Sequence, residues 1–315
     1  MLSIFLAVLP VFILIAIGYG AVRTAYVPNT VGDALNSFAV KVAVPVLLFR
    51  AMLNLDFAAA FSAPALIGFY TGAVSCFVIG IILARKIFKR RPGEAVSVGF
   101  AATFSNSVLL GIAIIERTFG SEALTPAFGI IAFHAPSLYI LGMVTMELMR
   151  RDGKSLATTL KTAGKSILAN SLMIGILIGV AMNFSGIQLP EPVISAIDML
   201  ATAAIPVALV GIGAAMTKYK ISAGLSESML VACLSLIVHP AIALGLTHYV
   251  FGLEPQTVRA VVTLAAMPPG MNIYIFAVMY DRAVSLAASA FLICTALSVL
   301  TATVWLYALS VIIPV

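Results

Sequence analysis

Two long apolar segments are interrupted near their middle by polar and helix-breaking residues, which are the residues most able to bind a ligand. The first interruption reads Phe104-Ser105-Asn106-Ser107, and the second reads Met267-Pro268-Pro269-Gly270-Met271-Asn272. Proline lacks a backbone N–H, and serine and asparagine compete for backbone hydrogen bonds, so both stretches should break a helix. Inside a bilayer such a break is tolerated only against protein or a cavity. We therefore predict a substrate-binding site at the following residues: Ser105, Asn106, Ser107, Gly111, Pro268, Pro269, Gly270 and Asn272.

The chemistry of the two interruptions favours an anionic ligand. The N-terminus of each half-helix presents free N–H groups that carry partial positive charge. An asparagine side chain at a break can both donate and accept hydrogen bonds. Lys41 lies about ten residues into another apolar segment, roughly 15 Å from its start. Its ammonium group is either a counter-ion for the ligand or snorkels to the membrane interface. We expect the ligand to be a small organic anion, a carboxylate.

Composition identifies an all-α polytopic membrane protein. Hydrophobic residues make up 62% of the chain, charged residues 10%, and the mean hydropathy is +1.14. A soluble domain carries about 25% charged residues. Apolar stretches of bilayer-spanning length recur along the chain. We predict ten transmembrane segments, at 3–22, 31–53, 64–87, 94–116, 125–149, 166–183, 192–216, 227–251, 257–280 and 283–313.

The distribution of positive charge predicts the orientation of these segments. Most of the 18 Lys and Arg residues lie at the odd-numbered links between segments, while the opposite, even side holds Arg50, Arg117 and Arg259. By the positive-inside rule, the odd links are cytoplasmic, so both termini of a ten-span chain face outside. The basic links can also contact anionic lipid headgroups. The charge pattern is therefore a membrane signal and does not indicate nucleic-acid binding.

The two halves of the chain repeat each other. Ala43-Val44-Pro45-Val46-Leu47-Leu48 in the second segment matches Ala204-Ile205-Pro206-Val207-Ala208-Leu209 in the seventh. Because five spans per half is an odd number, the second half should enter the membrane inverted, as in many secondary transporters. We predict a first five-helix repeat at 1–150, a basic cytoplasmic linker at 151–165 and a second, inverted repeat at 166–315.

The interrupted segments and the repeated proline motif resemble the auxin efflux carrier family, which includes plant PIN-type transporters and bacterial relatives. Phe104 to Gly111 resembles the family's Ser-Asn-x-x-x-x-Gly signature, Val42 to Phe49 its second helix, and Pro268 to Ala277 the bacterial form of its ninth. Tyr139 and Glu147 resemble its fifth helix. Plant members carry a proline at each helix crossing, where this sequence aligns Ala113 and Ile273.

This resemblance implies a fold like that of the NhaA-type and bile-acid transporters, with crossed broken helices 4 and 9. Helices 1, 2, 6 and 7 would form a scaffold, and helices 3–5 and 8–10 a mobile transport domain. It also implies export of auxin-like anions or of small mono- and dicarboxylates such as malate or malonate, from the inner membrane of a bacterium, by a homodimer. Lys41, Pro45 and Tyr139 complete the candidate substrate-binding residues.

Several further polar residues lie inside the predicted segments. His134 and Glu147 are candidates for a proton relay, although His134 can instead hydrogen-bond a carbonyl near Pro136. Tyr139 can line the site or pack against other rings. Asp198 is expected near the start of its helix, partly exposed. The three cysteines match no ligand spacing and are interpreted as small buried apolar residues: Cys76, Cys233 and Cys294.

The sequence lacks the motifs that are typical of other functional classes. It contains no HExxH or GxSxG motif and no GxxxxGK[ST] loop, so we expect neither an enzyme, nor a metal site, nor a nucleotide cofactor. Two alternatives stay open beside an organic-anion carrier: a bile-acid-type sodium symporter and an anion channel, whose pore can also use helix N-termini.

Overall fold

The computed structural model describes residues 1–150, 158, 161, 164–165, 168–220 and 224–313. Within these ranges the chain is helical and contains no β-strand, as the composition predicts. The α-helices, numbered in order, are α1 Leu2–Arg23, α2 Asn29–Phe38, α3 Val44–Leu53, α4 Phe57–Ala60, α5 Ala63–Lys86, α6 Pro92–Thr103, α7 Ile112–Phe119, α8 Leu124–Arg150, α9 Ser171–Ser185, α10 Glu191–Met216, α11 Leu225–Cys233, α12 His239–Leu244, α13 Pro255–Ala265, α14 Asn272–Tyr280 and α15 Val284–Ile312.

Seven helical stretches of the described chain are long and apolar enough to cross a bilayer. They begin and end as follows: Leu2–Arg23, Asn29–Leu53, Ala63–Lys86, Ser121–Met149, Glu191–Met216, Leu225–Val250 and Val284–Ile312. The other three predicted segments coincide with the shorter apolar helix α9 and with two interrupted helices, α6 followed by α7 and α13 followed by α14.

Two π-helical stretches of the described chain, Ala39–Ala43 and Leu234–Val238, each lead into a helix with a proline in its first turn. Ala39–Ala43 is π-helical and is followed by Pro45 in the first turn of α3. Because Pro45 has no N–H, it cannot bond to the carbonyl of Lys41 four residues earlier. The N–H of Val44 bonds instead to Ala39 O, five residues back. The proline therefore explains why Lys41 lies in a wider turn, of the kind often found at functional sites.

The chain divides into two compact units. The first comprises Met1–Val8, Phe61–Ala163 and Tyr219–Val315, and the second comprises Leu9–Ala60 and Gly164–Lys218. The first contains both interrupted helices, and the second contains α2, α3, α9 and α10.

Two close helix contacts organise the second unit. A β-carbon on Gly18 of α1 would lie 2.0 Å from Val210 O of α10, and one on Gly179 of α9 would lie 2.6 Å from Phe49 O of α3. Glycine is therefore required at both contacts, because any side chain would strike backbone. Gly179 follows Gly18 by 161 residues, and Val210 follows Phe49 by the same interval.

Polar side chains of the second unit connect neighbouring helices through hydrogen bonds and an ion pair. Nδ2 of Asn183 donates to the carbonyls of Met52, Leu53 and Leu55 at 2.9 to 3.1 Å, which satisfies the C-terminal end of α3. Asp198, expected to be partly exposed, is 46% exposed and pairs with Arg50 at 2.5 Å.

The sixth predicted segment needs one correction. Its helix, α9, begins at Ser171 and not at residue 166, because Asn170 is its N-cap and accepts from the N–H of Leu172. Most of the linker predicted at 151–165 lies outside the described residues.

In the first unit, α8 packs between the two interrupted helices. Phe100 of α6 stacks on Phe276 of α14 with ring centroids 4.0 Å apart. A β-carbon on Gly142 of α8 would lie 2.6 Å from the Phe100 ring and 3.1 Å from the Phe276 ring. The absence of a side chain at Gly142 therefore lets α8 approach both broken helices at once.

Arg90, in the link before α6, and Glu227, in the first turn of α11, form a two-pronged ion pair in the first unit. Their nitrogen–oxygen distances are 2.6 and 2.7 Å, and the Glu227 side chain is 6% exposed. This hydrogen bond raises the pKa of the Arg90 guanidinium. The pair joins the link before α6 to the first turn of α11.

The cysteines follow the sequence interpretation only in part. Cys76 and Cys294 are buried, as expected for small apolar side chains. Cys233 is exposed, so the prediction that it is buried was wrong. It lies at the C-terminal end of α11, where hydropathy alone does not reveal which face of the helix is covered.

Candidate functional site

The two interruptions meet as an antiparallel pair of backbone segments. Ser105 lies opposite Pro269 in an isolated β-bridge. The N–H of Asn106 donates to Pro268 O at 2.8 Å, and the N–H of Gly270 donates to Phe104 O at 3.3 Å. The two segments thus satisfy each other's backbone groups, which a break inside a membrane requires.

The first interruption is shorter than the sequence pattern suggested. Helix α6 ends at Thr103, and a π-helical stretch, Ser107–Gly111, begins three residues after Phe104 and leads into α7. Gly111 lies at the end of this π-helical stretch and not at the break. A β-carbon on Gly111 would lie 2.5 Å from the side chain of Leu264 in α13, so this glycine allows close packing of the two broken helices.

The second interruption follows the sequence prediction closely. Helix α13 ends at Ala265 and α14 begins at Asn272, with Pro268 and Pro269 between them. Both prolines and Gly270 are buried. The family alignment pointed to Ala113 and Ile273 as the crossing positions, but these residues lie inside α7 and α14. The chains cross at Ser105 and Pro269.

Asn106 keeps its side chain free at the crossing. The residue is 9% exposed, and its main-chain carbonyl accepts from the N–H groups of Leu110 and Gly111. Its carboxamide caps no helix and has no hydrogen-bond partner among the described residues. A carboxamide that bonds to no group of the described chain keeps its donors and its acceptor for a ligand.

Asn272 is the corresponding residue of the second interruption. It is half-buried in the first turn of α14, and its Oδ1 accepts a hydrogen bond from the Tyr139 hydroxyl at 3.2 Å. The N-cap of that helix is Met271, and no side chain caps it. Neither asparagine side chain therefore makes a capping hydrogen bond.

Ser105 and Ser107 flank Asn106 and bond to each other. Their hydroxyl oxygens are 2.8 Å apart, and both residues are buried. One hydroxyl donates to the other, so the donor of the accepting serine is not used by this contact. The pair spans Asn106 and stiffens the turn between α6 and the π-helical stretch.

His134 reaches the crossing directly. Its Nε2 is 3.0 Å from Ser105 O, and its Nδ1 has no partner in the described chain. With a proton on Nε2, the imidazole donates to a carbonyl that has lost its helical partner. The sequence argument allowed a carbonyl near Pro136, but the partner is the carbonyl of Ser105 in the first interruption, 29 residues earlier in the chain.

Tyr139 both lines the crossing and packs against rings. Its ring centroid lies 5.5 Å from that of Phe100, 5.4 Å from Phe104 and 6.5 Å from Phe276. The aromatic residues around it were not predicted as part of the site. Phe104, inside the first interruption, was the one signal in the sequence that could have indicated them.

The other candidate residues lie elsewhere. Glu147 is thirteen residues after His134 in α8, about 20 Å along the helix axis, and its Oε1 is buried without a partner in the described chain. The structure therefore does not bring the proposed relay pair together. Lys41, exposed, and Pro45, buried, belong to the second unit, and the crossing itself consists of residues of the first.

Comparison with known proteins supports a transport function. A protein of Rhizobium meliloti (strain 1021) named "Putative malonate transporter" is 27% identical over 308 residues, which cover 95% of this chain and 94% of the relative. An uncharacterized transporter of Methanothermobacter thermautotrophicus is 25% identical over 305 residues, covering 95% and 96%. An uncharacterized transporter of Methanocaldococcus jannaschii is 22% identical over 308 residues, which cover 95% of this chain and 96% of the relative.

The family model described as "Membrane transport protein" matches residues 3–306, nearly the whole chain. The matched range includes both interruptions and helix α8, which contacts them. Together with the apolar helices, it identifies an integral membrane transporter and not an enzyme. The chain belongs to the membrane transport protein family, the family of auxin-efflux-carrier-like transporters.

Proposed function

We propose that this protein is a secondary carrier of small organic anions, which bind at the crossed helix breaks. The observation that carries the proposal is the unpartnered Asn106 carboxamide beside two half-helix N-termini, in a buried backbone crossing. Free N–H groups and carboxamide donors suit a carboxylate. The name of the Rhizobium relative supports small dicarboxylates such as malonate or malate as the first ligands to test.

Ten spans and an inverted repeat are part of this proposal. The two bonds of the crossing support the repeat: Pro268 follows Phe104 by 164 residues, and Gly270 follows Asn106 by the same interval. A repeat with an interval of 164 residues therefore relates the two hydrogen bonds: Asn106 corresponds to Gly270, and Phe104 corresponds to Pro268. The contacts of Gly18 and Gly179 obey the same rule with an interval of 161 residues. An inverted repeat provides access from both sides to a site near the midplane.

We further propose that the first unit is the moving transport domain and the second the scaffold of an elevator-type carrier. The division of the chain into two compact units supports this assignment. The first unit contains all residues of the crossing, and the second contains α2, α3, α9 and α10. An inside-negative membrane potential would drive a monoanion outward, so the expected direction is export. The expected setting is a bacterial cytoplasmic membrane, with both termini outside and two copies in a homodimer.

Counterflow in proteoliposomes tests the function. Vesicles loaded with unlabelled malonate should take up labelled malonate, with saturation and with competition from malate. The same measurement with sodium replaced by choline should give the same rate. Strict sodium dependence would favour a bile-acid-type symporter, and uptake without counterflow but with ionic current would favour a channel. Absence of flux and of binding for every mono- and dicarboxylate tested would overturn the proposal.

A further inference from the structure

Arg259 is a buried charge near the start of α13, in the second turn of that helix. The residue is 5% exposed. Arginine is almost never buried this deeply unless an opposite charge is paired with it. Arg259 lies six residues before the last residue of α13, about 9 Å along the helix axis, and the crossing at Pro268 and Pro269 begins beyond that end. The charge is therefore separate from the site already described.

The guanidinium group of Arg259 has fewer partners than donors. It carries five N–H groups, and among the described residues it meets one acceptor, the carbonyl of Ile313, to which Nη2 donates at 2.8 Å. Nε is buried without a partner in the described chain. The Phe119 ring, whose centroid is 5.4 Å from Cζ, attracts the charge but supplies no oxygen or nitrogen acceptor. Arg259 also forms no ion pair with a described residue.

Two more polar groups at this end of α7 and α13 lack a partner. They are Oγ1 of Thr118, the residue before Phe119, and Oε1 of Gln256, three residues before Arg259; both atoms are buried and unbonded in the described chain. Residues three apart lie on the same face of a helix, and α7 packs against α13. A hydroxyl can donate to an anion, and a carboxamide can turn to present its NH₂ group.

The acidic residues closest in sequence do not compensate the charge. Glu254 precedes α13, and Glu116 and Glu122 lie three residues before and after Phe119. All three are exposed, and none forms an ion pair with a described residue. Their hydrated carboxylates leave the buried guanidinium without an adjacent negative charge.

We propose that Arg259 binds a small oxyanion, a carboxylate or a phosphate, in a second site at the ends of α7 and α13 that lie away from the crossing. The planar guanidinium fork matches both groups and can hold either of them with two hydrogen bonds. The source is either a free anion or the phosphate of a lipid headgroup, since the charge pattern assigns Arg259 to the outer side of the membrane. This site goes beyond the proposed function, because it requires no particular substrate at the crossing.

Thermal melting of the purified protein in detergent, over a series of sodium phosphate concentrations at constant ionic strength, tests this site. A ligand stabilises the state that binds it, so phosphate should raise the melting temperature of the wild type. Arg259→Gln removes the charge and most of the donors. Its affinity for phosphate should be at least about tenfold lower, and the difference in melting temperature between the two proteins should grow with phosphate concentration.

Arg117→Gln is the matched control. Arg117 lies two residues before Phe119, is exposed, and donates from Nε to a single carbonyl, that of Ala7, at 3.0 Å. Its replacement removes the same charge from the same end of α7, and the response to phosphate should equal that of the wild type. Asn106→Ala should also keep the response, so failure of the crossing as a carboxylate site would be distinguished from failure of this one.

Arg259→Lys keeps the test decisive if Arg259→Gln does not fold. Lysine retains the charge but loses the planar fork, so the affinity for phosphate should fall severalfold. Phosphatidylglycerol added to the detergent separates the two sources. A stabilisation that depends on Arg259 and is competed away by free phosphate identifies a lipid headgroup, and its absence identifies a free anion.

The proposal is overturned if phosphate does not stabilise the wild type, or if it stabilises the wild type and the Arg259 variants equally. The second result is the one expected if a carboxylate outside the described residues already neutralises Arg259. In that case Arg259→Gln would lower the melting temperature by the same amount at every phosphate concentration.

Discussion

Ser105 and Pro269 lie opposite each other in an antiparallel backbone pair, although they are far apart in the chain. Hydrogen bonds on either side of the pair join each broken helix to the other. Neither break could exist alone in a membrane, because each would leave backbone groups without partners. The crossing is thus a structure that only the two halves together can form, and it leaves the Asn106 side chain free.

Asn106→Ala should weaken carboxylate binding without lowering the melting temperature in detergent, because the Asn106 side chain caps no helix. Asn183→Ala is the matched control. The Asn183 side chain donates to three carbonyls at the end of α3. Its loss should therefore lower the free energy of unfolding by about 0.5–2 kcal/mol, the usual cost of losing a helix cap. The melting temperature should fall accordingly. The affinity ranking among carboxylates should not change in this control. A stability loss with unaltered affinity in Asn106→Ala would contradict a role in binding.

His134→Gln should keep transport close to wild type, whereas His134→Leu should reduce it strongly. Glutamine can still donate to Ser105 O, and leucine leaves that carbonyl without a partner at the crossing. His239→Leu is the control, because His239 makes the same kind of contact at 3.1 Å, with Phe69 O of the uninterrupted helix α5. Both leucine variants should lower the melting temperature, but only the His134 variant should raise KM. Equal KM values in the two would assign His134 a purely structural role.

Lys41→Met should raise the KM for organic anions and leave the melting temperature unchanged, since methionine has similar volume and no charge. Lys41 is exposed and forms no ion pair with any described residue, so its removal breaks no contact. Lys86→Met, at the exposed end of α5, removes the same charge elsewhere and should leave KM unchanged. If both variants transport like the wild type, Lys41 snorkels to the interface and does not act as a counter-ion.

Gly18→Ala and Gly179→Ala should destabilise the protein by similar amounts, on the order of 1–3 kcal/mol for overpacking. In each variant the new β-carbon would strike a backbone carbonyl, that of Val210 or of Phe49. Gly20→Ala is the control, because a β-carbon there has no neighbour within 4 Å. The measurement is thermal melting in detergent. A large difference between the first two variants would weaken the argument for an inverted repeat.

Single cysteines should report opposite sides of the membrane at Tyr26 and Ile187, which are 87% and 60% exposed. After replacement of the three native cysteines, Tyr26→Cys should react with an impermeant maleimide only from the cytoplasmic side. Ile187→Cys should react only from outside. Labelling of both from one side in intact cells would exclude the ten-span orientation.

Much of this architecture is predictable from the sequence, because hydropathy and helix-breaking residues act locally. The apolar stretches placed the helices to within a few residues, and Pro268 with Pro269 marked the second interruption. The start of α9 was misjudged because Asn170, a cap, lies inside an apolar stretch. The family match agrees with the resemblance that the motifs suggested.

The partners of individual polar groups depended on the tertiary structure. Gly111 looks like a helix breaker in the sequence, but it is a packing position whose need for glycine comes from Leu264, far along the chain. Likewise, Nε2 of His134 lies within hydrogen-bond distance of Ser105 O, and the Tyr139 hydroxyl bonds to Oδ1 of Asn272, 133 residues further along the chain. A local pattern shows where a backbone group loses its helical partner. Which distant group replaces that partner is decided only when the helices pack.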